Sequence, residues 1–197
     1  REVTYGVRRA AFAALSIASD GTLTFAAPKS FTGVTAVNVE NSQEQTRQFA
    51  DDQVHIILNA EETKAGTITT YQFAQAFLEN HLGKKVSAAG GLTDTGLFKN
   101  FALQWIETVV DEIGGQTEEL HVLYNVKAAA PTATATTKAD SVEGKLFEVP
   151  ITVLRNNNVL DEDGVPVSEY ILRKTDANAE FFEEAFERII LPGDTPD

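Results

Sequence analysis

The residues with the widest chemical reach in this chain are three histidines, His55, His81 and His121. A metal site on one strand or helix face usually carries a second ligand two or four residues further on. None of the three has one, so they do not read as metal ligands. His81 ends a helical pattern, where an imidazolium would complement the negative end of the helix dipole. The run Asp161-Glu162-Asp163-Gly164 invites a calcium reading, but an EF-hand loop needs its glycine at the sixth position and here it stands at the fourth. It reads instead as an acidic turn. Gly83-Lys84-Lys85 lacks the glycine-rich approach that cradles phosphate, and no Gly-x-Ser-x-Gly elbow presents a serine nucleophile. The absence of cysteine removes thiol catalysis, disulfides and thiolate-bound metals. Carboxylates abound because the whole chain is acidic, so pairs of them discriminate nothing. These residue types point away from an enzyme and call for no cofactor and no metal.

The bulk of the chain agrees. At 197 residues and 43% hydrophobic content it can bury the core of a single domain. No apolar run approaches the roughly 18–20 residues of a membrane span, and the first residues have no signal-peptide layout. The net charge is −13, from 16 basic and 29 acidic residues. Affinity for phosphate comes from Lys and Arg, so such a surface repels nucleic acid. The plain consequence is solubility; the sharper one is a surface that nucleic acid slides past without sticking.

The elements that must position these residues are mostly strands. Phe101 to Val110 places Phe101, Leu103, Trp105 and Val109 on one face at a period of two. Gly114-Gly115 marks a turn. Leu120 to Val126 returns with Leu120, Val122, Tyr124 and Val126 together, and Leu146 to Leu154 aligns Phe147, Val149, Ile151 and Val153. Nearer the start, Asp20-Gly21 predicts a hairpin between 15–17 and 23–25, with residues 1–6 a free arm. A short strand at 34–39 precedes thirteen mostly polar residues, 41–53, which read as a long loop of the kind that carries function. Strand character resumes at Val54 and again at 61–68.

A helix of about fourteen residues is predicted over 69–83. Thr69 and Gln72 form its capping box, Gly83 stands at its C′ position, and Tyr71, Ala74, Phe77, Leu78, His81 and Leu82 make its apolar stripe. Residues 87–96 read as a glycine-containing loop. Residues 128–139, rich in Ala and Thr, form an arm with no bulky side chain. A last helix is expected from about Asp176 to Leu191, apolar at Phe182, Ala185, Phe186, Ile189 and Ile190. The order of strands, helix, strands, helix suggests a mainly β (α+β) fold, a β-sandwich with helices at its margin.

Six pieces in this order carry a resemblance. They are the polar run Gln45-Thr46-Arg47-Gln48-Phe49-Ala50-Asp51-Asp52 with the strand after it and the amphipathic helix ending in Leu82-Gly83. Then come His121-Val122-Leu123-Tyr124-Asn125-Val126 with its Thr-rich arm, the stretch 138–143 leading into an apolar strand, and a late helix closing on Ile189-Ile190-Leu191-Pro192. The chain resembles the major tail protein, or tail tube protein, of long non-contractile-tailed bacteriophages (siphophages) of Gram-positive hosts. The resemblance implies a tail-tube β-sandwich over residues 1–197, with a flanking α-helix, a C-terminal helix and extended arms at 1–6, 41–53 and 128–139. It implies a structural virion protein, assembled in the host cytoplasm, whose hexameric rings stack into a tube for genome ejection. The partners implied are further copies of the chain and other tail proteins (tape measure, tail terminator, distal tail protein); DNA passes through the lumen without specific binding, and no membrane is involved. The long loop then becomes the inter-ring contact, with Phe49 as anchor and Glu44, Arg47, Asp51 and Asp52 as polar partners. The alternative is a non-catalytic β-sandwich that serves adhesion or binds carbohydrate or protein. It predicts an exposed aromatic platform, whereas Trp105, the only tryptophan, sits in a core-like alternation.

Overall fold

A computed structural model of the chain describes residues 2–42, 45–50, 53–59, 63–133 and 144–195, with 45–50 and 53–59 described by their backbone alone. In chain order the elements are β1 (Glu2–Ile17), β2 (Leu23–Phe25), β3 (Lys29–Ser30), β4 (Val34–Ser42), β5 (Gln45–Ala50), β6 (Gln53–Asn59) and β7 (Thr63–Thr70). There follow α1 (Gln75–His81), β8 (Lys84–Val86), β9 (Leu92–Asp94), β10 (Phe101–Asp111), β11 (Gln116–Ala128) and β12 (Thr132–Ala133). The last are β13 (Phe147–Val153), β14 (Asn156–Leu160), β15 (Pro166–Val167), β16 (Glu169–Arg173) and α2 (Ala179–Glu184). The fold is mainly β, as the alternation and the turn residues predict.

One antiparallel sheet dominates, in the order β2-β1-β10-β11-β13-β7-β4. It curls, so that β4 comes up against β1 without pairing to it. The two halves of the sheet face each other across a first core that holds Phe12, Leu103, Trp105 and Leu123 from one half and Ile68, Val149 and Ile151 from the other. Gly66 of β7 stands where β4 passes closest: a Cβ there would collide with the Asn38 carbonyl oxygen. Helix α1 closes this core. Phe77 is fully buried, its ring 5.0 Å from Phe12, 4.5 Å from Phe31 and 5.1 Å from Phe101.

The opposite face of β1, β10 and β11 carries a second core. Ala102, Ile106, Leu120, Val122 and Tyr124 lie under Phe181, Phe182, Ala185, Ile189 and Ile190. The middle strands are thus buried on both sides, and Phe101 to Ile106 are buried at every position. The predicted alternation on β10 is therefore only half of its burial pattern, because a strand covered on both faces has no wet side to show.

Tyr124 and Val126, expected on one face, point to different cores. Phe101 pairs with Val126 and Leu103 with Leu123, so β11 spends three steps where β10 spends two. This bulge shifts the phase of the strand: Tyr124 faces the second core and Val126 the first. The free edge of β11 changes partner at the same place, pairing with β16 over Glu119–Leu123 and with β13 over Val126–Ala128.

Several boundaries differ from those expected. Residues 2–6 are no free arm, since Glu2–Tyr5 pair with β10, and the Arg173 guanidinium donates to both oxygens of Glu2 at 3.1 and 2.9 Å. Gly6, at φ 74°, and Arg9, at φ 51°, fall in the two register breaks of β1. Arg9 places its guanidinium 3.8 Å over the Phe186 ring, which ties the bulge to the C-terminal segment. Helix α1 is seven residues long and starts late, because Thr69 and Thr70 remain in β7, paired with β13. No capping box forms; the Thr70 hydroxyl donates to the Gln72 carbonyl instead. Gly83 does take its C′ position, at φ 59°. The loop at 87–96 is mostly the β8–β9 hairpin. Helix α2 is six residues rather than sixteen, and its apolar continuation turns back over the sheet. Of the arm at 128–139, Ala128 ends β11 and Thr132–Ala133 pair with β13; residues 134–139 lie outside the described residues. The hairpin at Asp20-Gly21, the turn at Gly114-Gly115 and strand β13 stand where their residues predict.

Candidate assembly surfaces

The residues that could do chemistry are spent on structure. His81 is buried among Phe12, Phe77 and Phe101, and its Nδ1–H donates to the Lys99 carbonyl at 2.9 Å. Burial pushes its pKa down, the positive charges of Lys99 and Lys29 push the same way, and the bond to Lys99 opposes them. It is therefore a neutral core residue rather than the cationic partner of the helix dipole that its position suggests. His121 stacks flat on Trp105 at 5.0 Å. Its Nε2 lies 3.3 Å from Glu119 and 3.7 Å from Glu107, while Trp105 donates to Glu107 at 2.7 Å. His55 is the extra residue of a bulge in β6, where Gln48 pairs with Ile56 and Phe49 with Val54. The three histidines lie on separate elements, and no group of three His, Asp or Glu among the described residues is placed to hold a metal ion. Asp161 caps its own turn, its Oδ1 accepting from the N–H groups of Asp163 and Val165. Lys84 pairs with Asp94 across the β8–β9 hairpin.

The buried His81 makes a pH prediction. Unfolded, the imidazole regains its ordinary value of about 6.5 and takes a proton before the folded state does. The stability gained by keeping it neutral is whole above that value and is lost as pH falls below it, toward the depressed folded value. Urea unfolding at pH 7 and pH 5 is expected to show a smaller drop for His81→Phe than for the wild-type chain. Equal drops would mean that His81 is not what titrates.

What remains for function is surface. The described residues of the predicted loop at 41–53 are strand rather than loop: they end β4, form β5 and open β6. β4 and β7 pair out to Ser42 and Thr63, and the ladder resumes with Gln45 opposite Asn59 and runs to Ala50 opposite Gln53. Polar composition hid this, because backbone pairing alone builds a ribbon and leaves no required alternation to read. Arg47 stands opposite Ile57 and Phe49 opposite Val54; Glu44, Asp51 and Asp52 lie outside the described residues. Among those described, β5 and β6 join no other sheet. The main sheet itself ends at β4, whose edge can accept another strand.

The family model of the phage tail tube protein matches residues 1–196. This chain belongs to that family. It is a structural component of the virion tail and not an enzyme, and none of its described helices is long and apolar enough to cross a membrane. No curated protein matches this tail tube chain. Among solved structures it is similar to a chain of the anti-feeding prophage baseplate, at 6% identity and a TM-score of 0.39, covering 84% of this chain and 93% of that one. A chain of the sheath–tube complex of an extracellular contractile injection system, in its extended state, matches at 7% identity and 0.39, covering 84% and 89%. A chain of the cap that terminates the anti-feeding prophage tube matches at 10% identity and 0.38, covering 87% and 94%.

The surface carries one feature that the sequence patterns did not mark. Ile113, in the turn between β10 and β11, is 93% exposed. The signal was present as an apolar residue inside a glycine turn, Ile113-Gly114-Gly115, where hydrophobic periodicity has nothing to say.

Proposed function

We propose that this tail tube protein is the repeating subunit of a siphophage tail tube, with six copies in each ring and rings stacked into a conduit for the genome. Membership of the family over nearly the whole chain supports this reading. The ribbon carries the stacking part of it. A two-stranded extension that joins no other sheet among the described residues stands as an isolated hairpin, which is at best marginally stable in water. Such an element makes sense when a neighbour supports it. Phe49 is the anchor of that contact, with Glu44, Arg47, Asp51 and Asp52 around it. The contact is heterologous, so it propagates into a stack rather than closing on itself. The β4 edge suits lateral pairing within a ring.

The charge fits the same reading. Six chains at −13 give 6 × −13 = −78 per ring. A lumen of that sign lets phosphates slide, whereas a basic one would hold them. The tape measure, tail terminator and distal tail proteins are the partners of such a tube.

The test is electron microscopy of the purified chain over a range of concentrations, and again after co-expression with other tail components. Hollow rings or tubes support the reading; small particles under every condition overturn it. Replacing Arg47 and Phe49 together by Ala is expected to leave the thermal unfolding curve unchanged and to abolish tubes. Unfolding of that variant would make the ribbon part of the core and remove it as a contact.

A further inference from the structure

We propose a second, specific head-to-tail contact between copies of this chain: Ile113 of one copy seats in a cleft at the opposite end of the next. The proposal rests on the stacking reading and adds to it a contact outside the ribbon. The turn that carries Ile113 is stiff. The Asp111 carboxylate accepts from the N–H groups of Ile113 at 3.0 Å and Gly115 at 2.7 Å, and the Gly114 N–H donates to the Asp111 carbonyl at 3.1 Å. Gly114 holds φ 83°, a conformation most side chains forbid. A branched apolar side chain on a pre-ordered tip loses little freedom on docking and gains the burial it lacks.

The cleft that suits it lies at the other end of the same strands. It measures about 410 Å³ and has apolar walls from Leu15, Ile17, Leu23 and Phe98, with Lys99 and Asn158 at its polar side. Its lining includes the amide pair Asn100–Asn125, 2.7 Å apart. Strand register places the two features at opposite ends. Ala14, Phe101 and Val126 mark the cleft end, while Glu2, Asp111 and Gln116 mark the tip end. Ten steps of β10 at roughly 3.3 Å each separate them by about 33 Å. A chain cannot fill its own cleft, but a copy displaced along the strands can fill it, and every copy added presents a fresh tip.

Charge favours the same pairing. The tip carries Asp111 and Glu112. Lys99 lines the cleft, and Arg155 adjoins Asn156, which lines it too. Lys99 is in no ion pair among the described residues. Opposite charges at the two ends steer the tip of one copy toward the cleft of the next and disfavour tip-to-tip contact.

The chain has no cysteine, which makes the test clean. Full-length chains with Ile113→Cys and with Ser16→Cys, a residue lining the cleft, are mixed, assembled into tubes and oxidised. The expected result is a cross-linked dimer from the mixture and none from either variant alone, with a ladder of multimers from the double variant. Ile113→Asp is expected to unfold as the wild type does and to raise the concentration needed for assembly about tenfold or more. Tubes that form without the cross-link, or that form from Ile113→Asp at the wild-type concentration, overturn this contact and leave stacking intact. A wild-type chain that never stacks, alone or co-expressed with other tail components, overturns both.

Discussion

Ending the chain at Thr175 is expected to yield an aggregating protein. The removed segment supplies Phe181, Phe182, Ala185, Ile189 and Ile190, each 5% exposed or less, to the core on one face of β1, β10 and β11. Each of the four large side chains among them is worth ~1.5–3 kcal/mol of burial. Their sum is comparable with the ~5–15 kcal/mol by which a whole domain is stable. The loss extends beyond the removed residues, because Ala102, Ile106, Leu120, Val122 and Tyr124 would be left facing water. The Tyr124 hydroxyl, which donates to the Ile190 carbonyl at 2.7 Å, would lose its acceptor. Burial holds that hydroxyl far above the ordinary tyrosine range, so it stays protonated. The soluble fraction on expression and the binding of a hydrophobic dye measure the outcome. A soluble, dye-silent truncation with native near-ultraviolet dichroism would show that the segment is a detachable arm.

Phe77→Ala is expected to cost about 3–5 kcal/mol, the range for removing a buried aromatic ring. The site cannot collapse readily. Phe12, Phe31, Phe73 and Phe101 surround the ring with centroids 4.5–6.3 Å away, each fixed by a different element or loop. Denaturant unfolding of this variant should show an earlier midpoint with an unchanged slope. Leu78→Ala, one residue on but only half-buried, is expected to cost less. Equal losses at the two positions would mean that α1 is not held by its buried face. A destabilised Phe77→Ala chain that still forms tubes at low temperature would separate folding from assembly.

Both predictions rest on cores that the sequence only half displayed. The apolar run Phe101 to Val110 announced a strand, and Phe77, His81 and Leu82 announced a helix face. Periodicity is local, and so is turn chemistry, which is why Asp20-Gly21, Gly114-Gly115 and Asp161-Gly164 stand where they were expected. The helix ends were set otherwise. Thr69 and Thr70 have acceptable capping chemistry, but pairing with β13 satisfies their backbone groups first, so α1 starts at Gln75. The predicted charge at His81 failed for a related reason. A helix terminus favours an imidazolium, but here three phenylalanine rings exclude water and the cost of desolvating the charge outweighs that attraction.

The sequence by itself determined the class of this protein. Its order of strands and turns, its acidic balance and its lack of any catalytic or metal-binding grouping follow from residue types and short spacings, and these act at contact range along the chain. Only the tertiary structure decided which faces were buried, how the bulge in β11 divides Tyr124 from Val126, and that the polar stretch after β4 pairs with β6 as a ribbon. It also decided that Ile113 and the cleft beside Lys99 stand at opposite ends of the same strands. Those features depend on which distant segments meet, and the free energy that selects among such meetings comes from burial and backbone pairing between residues far apart in sequence, which no local pattern records.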